Sequence, residues 1–196
     1  NRYYTSIQIA DTYKEVLGVE KFASAIIATG EDYPDALPGS YLAYVKKAPI
    51  ILTNARDKYI NLAVNYVKEN VAEGATVYIL GGDKVVPTSV DAMLEEAGFK
   101  VERLAGRNRY ITNVEILKAA GVEGGEILVA TGESYADSLS ASAAKLPILL
   151  VKPEAALTEE AKAVLGGMKN IYIIGGEGEF AAFFEGTVDR EDVEFV

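Results

Sequence analysis

Ile26-Ile27-Ala28-Thr29-Gly30-Glu31-Asp32-Tyr33-Pro34-Asp35-Ala36-Leu37 decides the fold of this chain, because it occurs twice. The second copy is Ile127-Leu128-Val129-Ala130-Thr131-Gly132-Glu133-Ser134-Tyr135-Ala136-Asp137-Ser138-Leu139. Both run apolar residues into Thr-Gly-Glu, reach an Asp five residues past the Gly, and place a Leu two residues further on. An apolar run containing β-branched residues suits a strand covered on both faces, and the Gly permits a sharp turn at its carboxyl end. The Asp then caps or approaches the N-terminus of the next helix.

Working outward, the segment from Ile7 to Leu17 has helical apolar spacing, with Thr5 or Ser6 as the expected N-cap and Gly18 as the stop. After the first copy of the key strand, at about Ser24 to Thr29, the pattern predicts a helix from about Asp35 to Lys46 with Pro38 in its first turn. A short strand at Ala48 to Thr53, a helix over Lys58 to Asn70, a strand at Thr76 to Leu80, a helix opened by Pro87 and a strand at Phe99 to Leu104 follow. Then the series restarts. Asn108-Arg109-Tyr110 matches Asn1-Arg2-Tyr3, Pro147-Ile148-Leu149-Leu150 matches Pro49-Ile50-Ile51-Leu52, and Ile173-Ile174-Gly175-Gly176 matches Ile79-Leu80-Gly81-Gly82. Four matched segments in one order indicate a duplication. The spacing between copies falls from 107 residues at Arg2/Arg109 to 94 at Gly81/Gly175, so the second copy has shorter connections. Its closing Val193-Glu194-Phe195-Val196 matches Val101-Glu102-Arg103-Leu104. The chain thus reads as two whole repeats, 1–104 and 105–196, of a longer parent protein.

Alternation of helices with short apolar strands predicts an α/β fold in which each repeat is a small parallel sheet flanked by helices. In such sheets ligands gather beyond the carboxyl ends of the strands. Thr29-Gly30, Thr53-Asn54 and Gly81-Gly82-Asp83 should meet there.

The bulk properties exclude several chemistries. The 196 residues contain no Cys and no His, which removes disulfides, Cys or His metal sites, thiol nucleophiles and His-dependent triads. A formal charge of −10 makes the average surface repel nucleic acid and anionic membranes. No apolar run reaches the length of a membrane span.

Two readings are open at each candidate site. Arg2 and Arg109 either make charge-assisted contacts to a ligand anion or hold carboxylates such as Asp35 and Asp137, or carbonyls, at the sheet edge. Thr-Gly-Glu with its following Asp is either a backbone anion cradle or turn chemistry with an N-cap. Gly81-Gly82 and Gly175-Gly176 lack the spacings of dinucleotide and Walker sites and read as compact strand exits. Glu31, Asp32 and Asp35 supply carboxylates, but acid/base work on a glycan needs two carboxyls facing across one bond, and no spacing here dictates that. Lys46, Lys47, Arg56 and Lys58 make the first copy more cationic than the second, which has Lys145 and Lys152.

On Arg2-Tyr3 with Thr5-Ser6, Ala28-Thr29-Gly30-Glu31 with Asp35-Ala36-Leu37, Ala48-Pro49-Ile50 with Leu52, and Tyr78-Ile79-Leu80-Gly81-Gly82, together with their second copies, the sequence resembles the cell wall binding repeat 2 family. These modules occur in tandem, usually as three copies, in surface proteins of clostridia and related Gram-positive bacteria. The resemblance implies a Toprim-like or flavodoxin-like α/β fold and an extracellular position on the cell wall. It also implies a non-catalytic, non-covalent anchor that recognises an anionic secondary wall polymer of teichoic-acid type. A third repeat in cis or an oligomer partner is expected, and neither a cofactor nor a resident metal is. Carried onto this chain, the expected ligand positions are Arg2, Thr29, Gly30, Asp35, Gly81 and Gly82 in the first repeat. In the second they are Arg109, Thr131, Gly132, Asp137, Gly175 and Gly176. Two other classes compete: a metal-dependent glycan- or phosphate-processing enzyme, and a structural, oligomerising surface-layer module.

Overall fold

The computed structural model describes residues 1–32, 36–176, 180 and 193–195. The first repeat contains α1 (Arg2–Leu17), β1 (Phe22–Thr29), α2 (Gly39–Lys46), β2 (Ile50–Thr53), α3 (Asp57–Asn70), β3 (Val71–Leu80), α4 (Ser89–Glu96) and β4 (Lys100–Leu104). The second contains α5 (Arg109–Ala119), β5 (Gly125–Thr131), α6 (Ala136–Ser142), β6 (Ile148–Val151), α7 (Glu159–Gly166), β7 (Met168–Ile174) and β8 (Val193–Phe195). Each repeat forms its own four-stranded sheet, ordered β2-β1-β3-β4 and β6-β5-β7-β8, with every pairing parallel. The expected α/β architecture of two tandem repeats is what the chain adopts. In both sheets one of the two inner strands, β1 or β5, leads into Thr-Gly-Glu.

Local chemistry accounts for the departures from the sequence reading. The cap of α1 is Asn1, whose Oδ1 accepts from Tyr4 N at 3.4 Å, and not Thr5 or Ser6. Those two hydroxyls instead lie inside the helix and back-bond to Asn1 O and Tyr3 O at 3.1 and 2.8 Å. The Gly18 stop does hold, with φ 65° in the left-handed region that a side chain would resist. Helix α2 begins at Gly39 rather than at Asp35; Asp35 itself lies outside the described residues. Helix α4 begins two residues after Pro87. Strand β3 starts five residues earlier than its apolar run, because Val71 pairs with Phe22 ahead of a register shift while exposed Glu73 and Gly74 hide the strand pattern.

Alternate residues of the central strands point to opposite faces, and each face has its own cover. In β1, Ala25 and Ile27 join Ala10 of α1, Ala63, Val64 and Val67 of α3, and Val90 and Leu94 of α4. On the other face Ile26 and Ala28 join Leu42 of α2 and, from the second repeat, Ile116 and Ala120 of α5. Helix α5 also turns Val114 and Leu117 toward Ile127 and Val129 of β5. It is therefore buried between two sheets and joins the repeats. The remaining face of the second sheet, Leu128 and Ala130 with Ile148 and Leu150, is packed by Ala141 of α6.

Candidate functional site

Both Thr-Gly-Glu turns are built alike. Thr29 Oγ1 accepts from Glu31 N, and Thr131 Oγ1 from Glu133 N, each at 3.1 Å. The amide that would head an anion cradle is thereby used by the turn. Gly30 N and Gly132 N donate across to Thr53 O and Val151 O at 2.8 Å, closing the turns onto the neighbouring strand. Above them lie the helix-opening Arg-Tyr pairs. Arg2 Nη1 donates to Gly30 O, and Arg109 Nη1 donates to Gly132 O at 2.8 Å. A Cβ at Gly30 would stand 2.6 Å from Tyr3 Cε1, and one at Gly132 2.6 Å from Tyr110 Cε1, so the tyrosine rings require glycine beneath them.

In the first repeat this ledge carries a polar cluster. Tyr3 Oη donates to Glu31 Oε1 at 2.6 Å, and Asn54 Nδ2 lies 2.7 Å from that oxygen and 2.8 Å from the tyrosine oxygen. The bonds from Tyr3 and Asn54 hold the Glu31 carboxyl below its ordinary range, with Arg56 and Arg2 helping. Burial, followed by the Glu31 contact, pushes the Tyr3 hydroxyl up. The second repeat has Lys152 near Glu133, at 3.7 Å, instead.

The chain leaves β1 for β2 on one side and returns as β3 on the other, so the switch point of the first sheet lies between β1 and β3. A cleft of about 340 Å³ opens there. Its first-repeat wall includes Thr29, Asp32, Gly82, Asp83 and Lys84; its second-repeat wall includes Arg107 and Arg109. Arg109 Nη2 stands 3.9 Å from Asp32 Oδ2 across the junction. Three cationic side chains, Lys84, Arg107 and Arg109, gather here beside two carboxylates, Asp32 and Asp83, in a chain whose net charge is −10. A larger cleft of about 480 Å³ between α1, α2 and β2 is apolar and holds none of the expected site residues.

Of the expected ligand positions, Thr29, Gly82 and Arg109 meet in the 340 Å³ cleft. Arg2 and Gly30 are joined at the same carboxyl edge, as are Arg109 and Gly132. Gly81 accepts from Arg103 Nη1 at 2.7 Å, and that arginine is also paired with Asp91 of α4. Asp137 does not cap α6: it sits inside the first turn, behind Tyr135 at the cap position, which makes no side-chain cap bond. Thr131 ends β5, and Gly175 and Gly176 follow β7, at the equivalent edge of the second sheet. Asp35 lies outside the described residues. Sequence reasoning passed over Arg107 and Lys84, whose signal was a charge flanking each of two glycine-containing connectors. Among the described residues no cluster of three acidic side chains is arranged to hold a metal ion, and no helix is long and apolar enough to cross a membrane.

Comparison with known proteins fits this geometry. Cwp8 from Clostridium difficile superposes on the whole chain with a TM-score of 0.83 at 26% identity, and this chain covers 34% of that structure. Cwp6 from the same organism superposes with a TM-score of 0.74 at 20% identity, covering 32% of that structure, and shares the fold. The N-acetylmuramoyl-L-alanine amidase LytC of Bacillus subtilis (strain 168) is 30% identical over 186 residues, which cover 92% of this chain and 36% of that protein. The chain thus spans about a third of the length of each of these relatives. The profile of cell wall binding domain 2 matches residues 1–91 and 103–182, one segment for each repeat. Two sheets of one topology, joined by a shared helix and matched in register by that profile, make this chain a member of the cell wall binding domain 2 family.

Proposed function

We propose that the chain is a non-catalytic anchor that holds its parent protein on the outer cell wall by binding an anionic secondary wall polymer in the cleft between the repeats. The observation that carries this reading is the composite wall of the cleft. Thr29 and Gly82 come from one repeat, Arg107 and Arg109 from the next, and the site sits at the switch point where such sheets accept ligands. An acidic chain attracts a polyanion only where cations are locally concentrated, and this cleft concentrates them. The corresponding edge of the second repeat, with Thr131, Gly132, Gly175, Gly176 and Asp137, is proposed as a second ligand position. A further repeat would complete it.

The same reading covers the apolar side of α1. Ile9 and Tyr13 occupy the positions that Ile116 and Ala120 hold in α5, where they pack onto the preceding sheet. Ile9 is 64% exposed whereas Ile116 is fully buried. We take a further repeat, in cis or from another copy, to be what α1 packs against.

The test is co-sedimentation of the chain with purified cell wall, before and after extraction of the secondary polymer, across a salt series and with a chelator. Binding that needs the polymer and weakens with salt is expected. Undiminished binding to extracted wall would overturn the polymer assignment. Metal-dependent turnover of a glycan or phosphate substrate that is lost on replacing Asp35 and Asp137 would show an enzyme instead.

A further inference from the structure

Arg107 stands between two pinned residues. Gly106 N donates to Thr112 Oγ1 at 3.0 Å, and a Cβ at Gly106 would meet Ile111 Cγ2 at 2.5 Å and Thr112 N at 2.7 Å. Asn108 Oδ1 accepts from Ile111 N at 3.0 Å. The connector between the repeats therefore has little freedom, and its backbone delivers Arg107 to the cleft. Lys84 borders the same cleft from the turn after β3, which Val85 N and Val86 N close by donating to Gly82 O at 2.9 and 3.0 Å. Two cations thus reach one cleft from different repeats on fixed supports. Arg109, the third, is committed to Gly132 O and faces Asp32.

Arg107 has a neighbour that can be exchanged. Its Nη1 is 3.6 Å from Glu160 Oε1 of α7, and the two side chains are 67% and 35% exposed. A solvent-exposed pair at this distance is weak, so an incoming anion with better geometry can displace the carboxylate. The backbone N–H of Glu160 and the Thr158 hydroxyl, followed by Arg107, hold the Glu160 carboxyl below its usual range, so it remains a charged competitor. Lys84 has no ion-pair partner among the described residues.

We propose that Lys84 and Arg107 are the two groups that contact the bound anion, and that Glu160 sets the affinity by competing for Arg107. This rests on the reading of the cleft as the polymer site. Asp32 and Asp83 in the same lining disfavour a dianionic phosphomonoester and suit one singly charged oxyanion, such as a phosphodiester in a polymer backbone. Two cations from different repeats in one lining suit its two non-bridging oxygens, one each.

The test measures binding of the 196-residue chain to purified cell wall and to soluble poly(glycerol phosphate), with thermal unfolding as the fold control. Lys84→Ala and Arg107→Ala should each weaken binding by about tenfold, and each should lower the slope of log affinity against log salt by about 1. Glu160→Gln should tighten binding about threefold, and that gain should vanish in the Arg107→Ala background, because the competitor acts only through Arg107. A gain that persists without Arg107 would overturn the competition. Wild-type binding that neither Lys84→Ala nor Arg107→Ala disturbs would overturn the contact assignment while leaving the wall anchor standing. A wild-type chain that binds neither wall nor polymer would overturn both.

Discussion

Arg109 and Asp32 face each other across the repeat junction at 3.9 Å, and the same guanidinium donates to Gly132 O at 2.8 Å. One side chain at the start of α5 thus touches a turn of its own repeat and a turn of the preceding one. The two contacts differ in weight. The Asp32 pair is half-exposed, at 37% and 55%, and contributes less than about 1 kcal/mol, whereas a charged donor on a partly buried carbonyl contributes about 1.5–3 kcal/mol. Arg109→Ala should lower the urea-derived unfolding free energy by about 2 kcal/mol and Asp32→Asn by under about 0.5 kcal/mol. Equal losses would mean that the ion pair, not the carbonyl bond, carries the contribution of Arg109.

The helix that opens each repeat is tied to the edge strand by one polar side chain. Asn113 Nδ2 donates to Ile148 O at 2.9 Å, and its Oδ1 accepts from Leu150 N at 2.7 Å, with Asn113 fully buried. In the first repeat Ser6 Oγ makes one bond to the strand, accepting from Leu52 N at 3.1 Å, and gives its own proton to Tyr3 O within the helix. Asn113→Ala orphans two backbone groups and should cost about 2–4 kcal/mol, against about 1 kcal/mol for Ser6→Ala. Urea titration of the two variants checks the ratio.

The Tyr3, Glu31 and Asn54 cluster gives the chain an acid-sensitive contact. The folded state lowers the Glu31 pKa below its ordinary 4.5, so its contribution is complete above that value and is lost as pH falls through the folded value. Urea midpoints measured from about pH 7 to pH 3 should decline less steeply in Glu31→Gln than in the wild type. Parallel acid limbs would remove Glu31 from the account.

Glycine beneath the tyrosine ring is a steric demand. Gly132→Ala puts a methyl 2.6 Å from Tyr110 Cε1 and should destabilise by about 1–3 kcal/mol through displacement of the ring. Tyr110→Leu should make the same Gly132→Ala change nearly neutral. A double-mutant cycle on melting temperature reads the coupling, and additive losses would show that the clash lies elsewhere.

Much of this arrangement was legible in the sequence, for identifiable reasons. The central strands announce themselves as apolar runs ending in Thr-Gly, and the switch-point edge follows from parallel order, so Thr29 and Gly82 are expected at one edge; Arg109, read with the second repeat, joins them only in the folded chain. What stayed hidden lacks a matching copy or local periodicity. Asp32 aligns with Ser134, so its pairing with Arg109 appears in only one register. Arg107 lies in the connector between copies, ahead of the matched Asn-Arg-Tyr. The cap of α1 went to Asn1 because an Asn placed immediately before the first helical residue outcompetes hydroxyls already inside the helix. Which side of an amphipathic helix is covered was equally invisible: α1 and α5 share a pattern, yet α5 has a sheet on each side.

That last difference gives two equivalent positions opposite fates. Ile116 is fully buried between α5 and the first sheet, so Ile116→Ala should cost about 2–5 kcal/mol by opening a cavity at the repeat junction. Ile9, its counterpart in α1, is 64% exposed, so Ile9→Ala should change the stability of this 196-residue chain by no more than about 0.5 kcal/mol. If a further repeat packs on α1 as the first sheet packs on α5, Ile9→Ala in a chain extended by that repeat should rise toward the cost seen at Ile116. Paired urea titrations of the two variants in the short and extended chains make the comparison. An Ile9 effect that stays small in both would mean that α1 is not a junction helix, and that the likeness between α1 and α5 ends at their sequence.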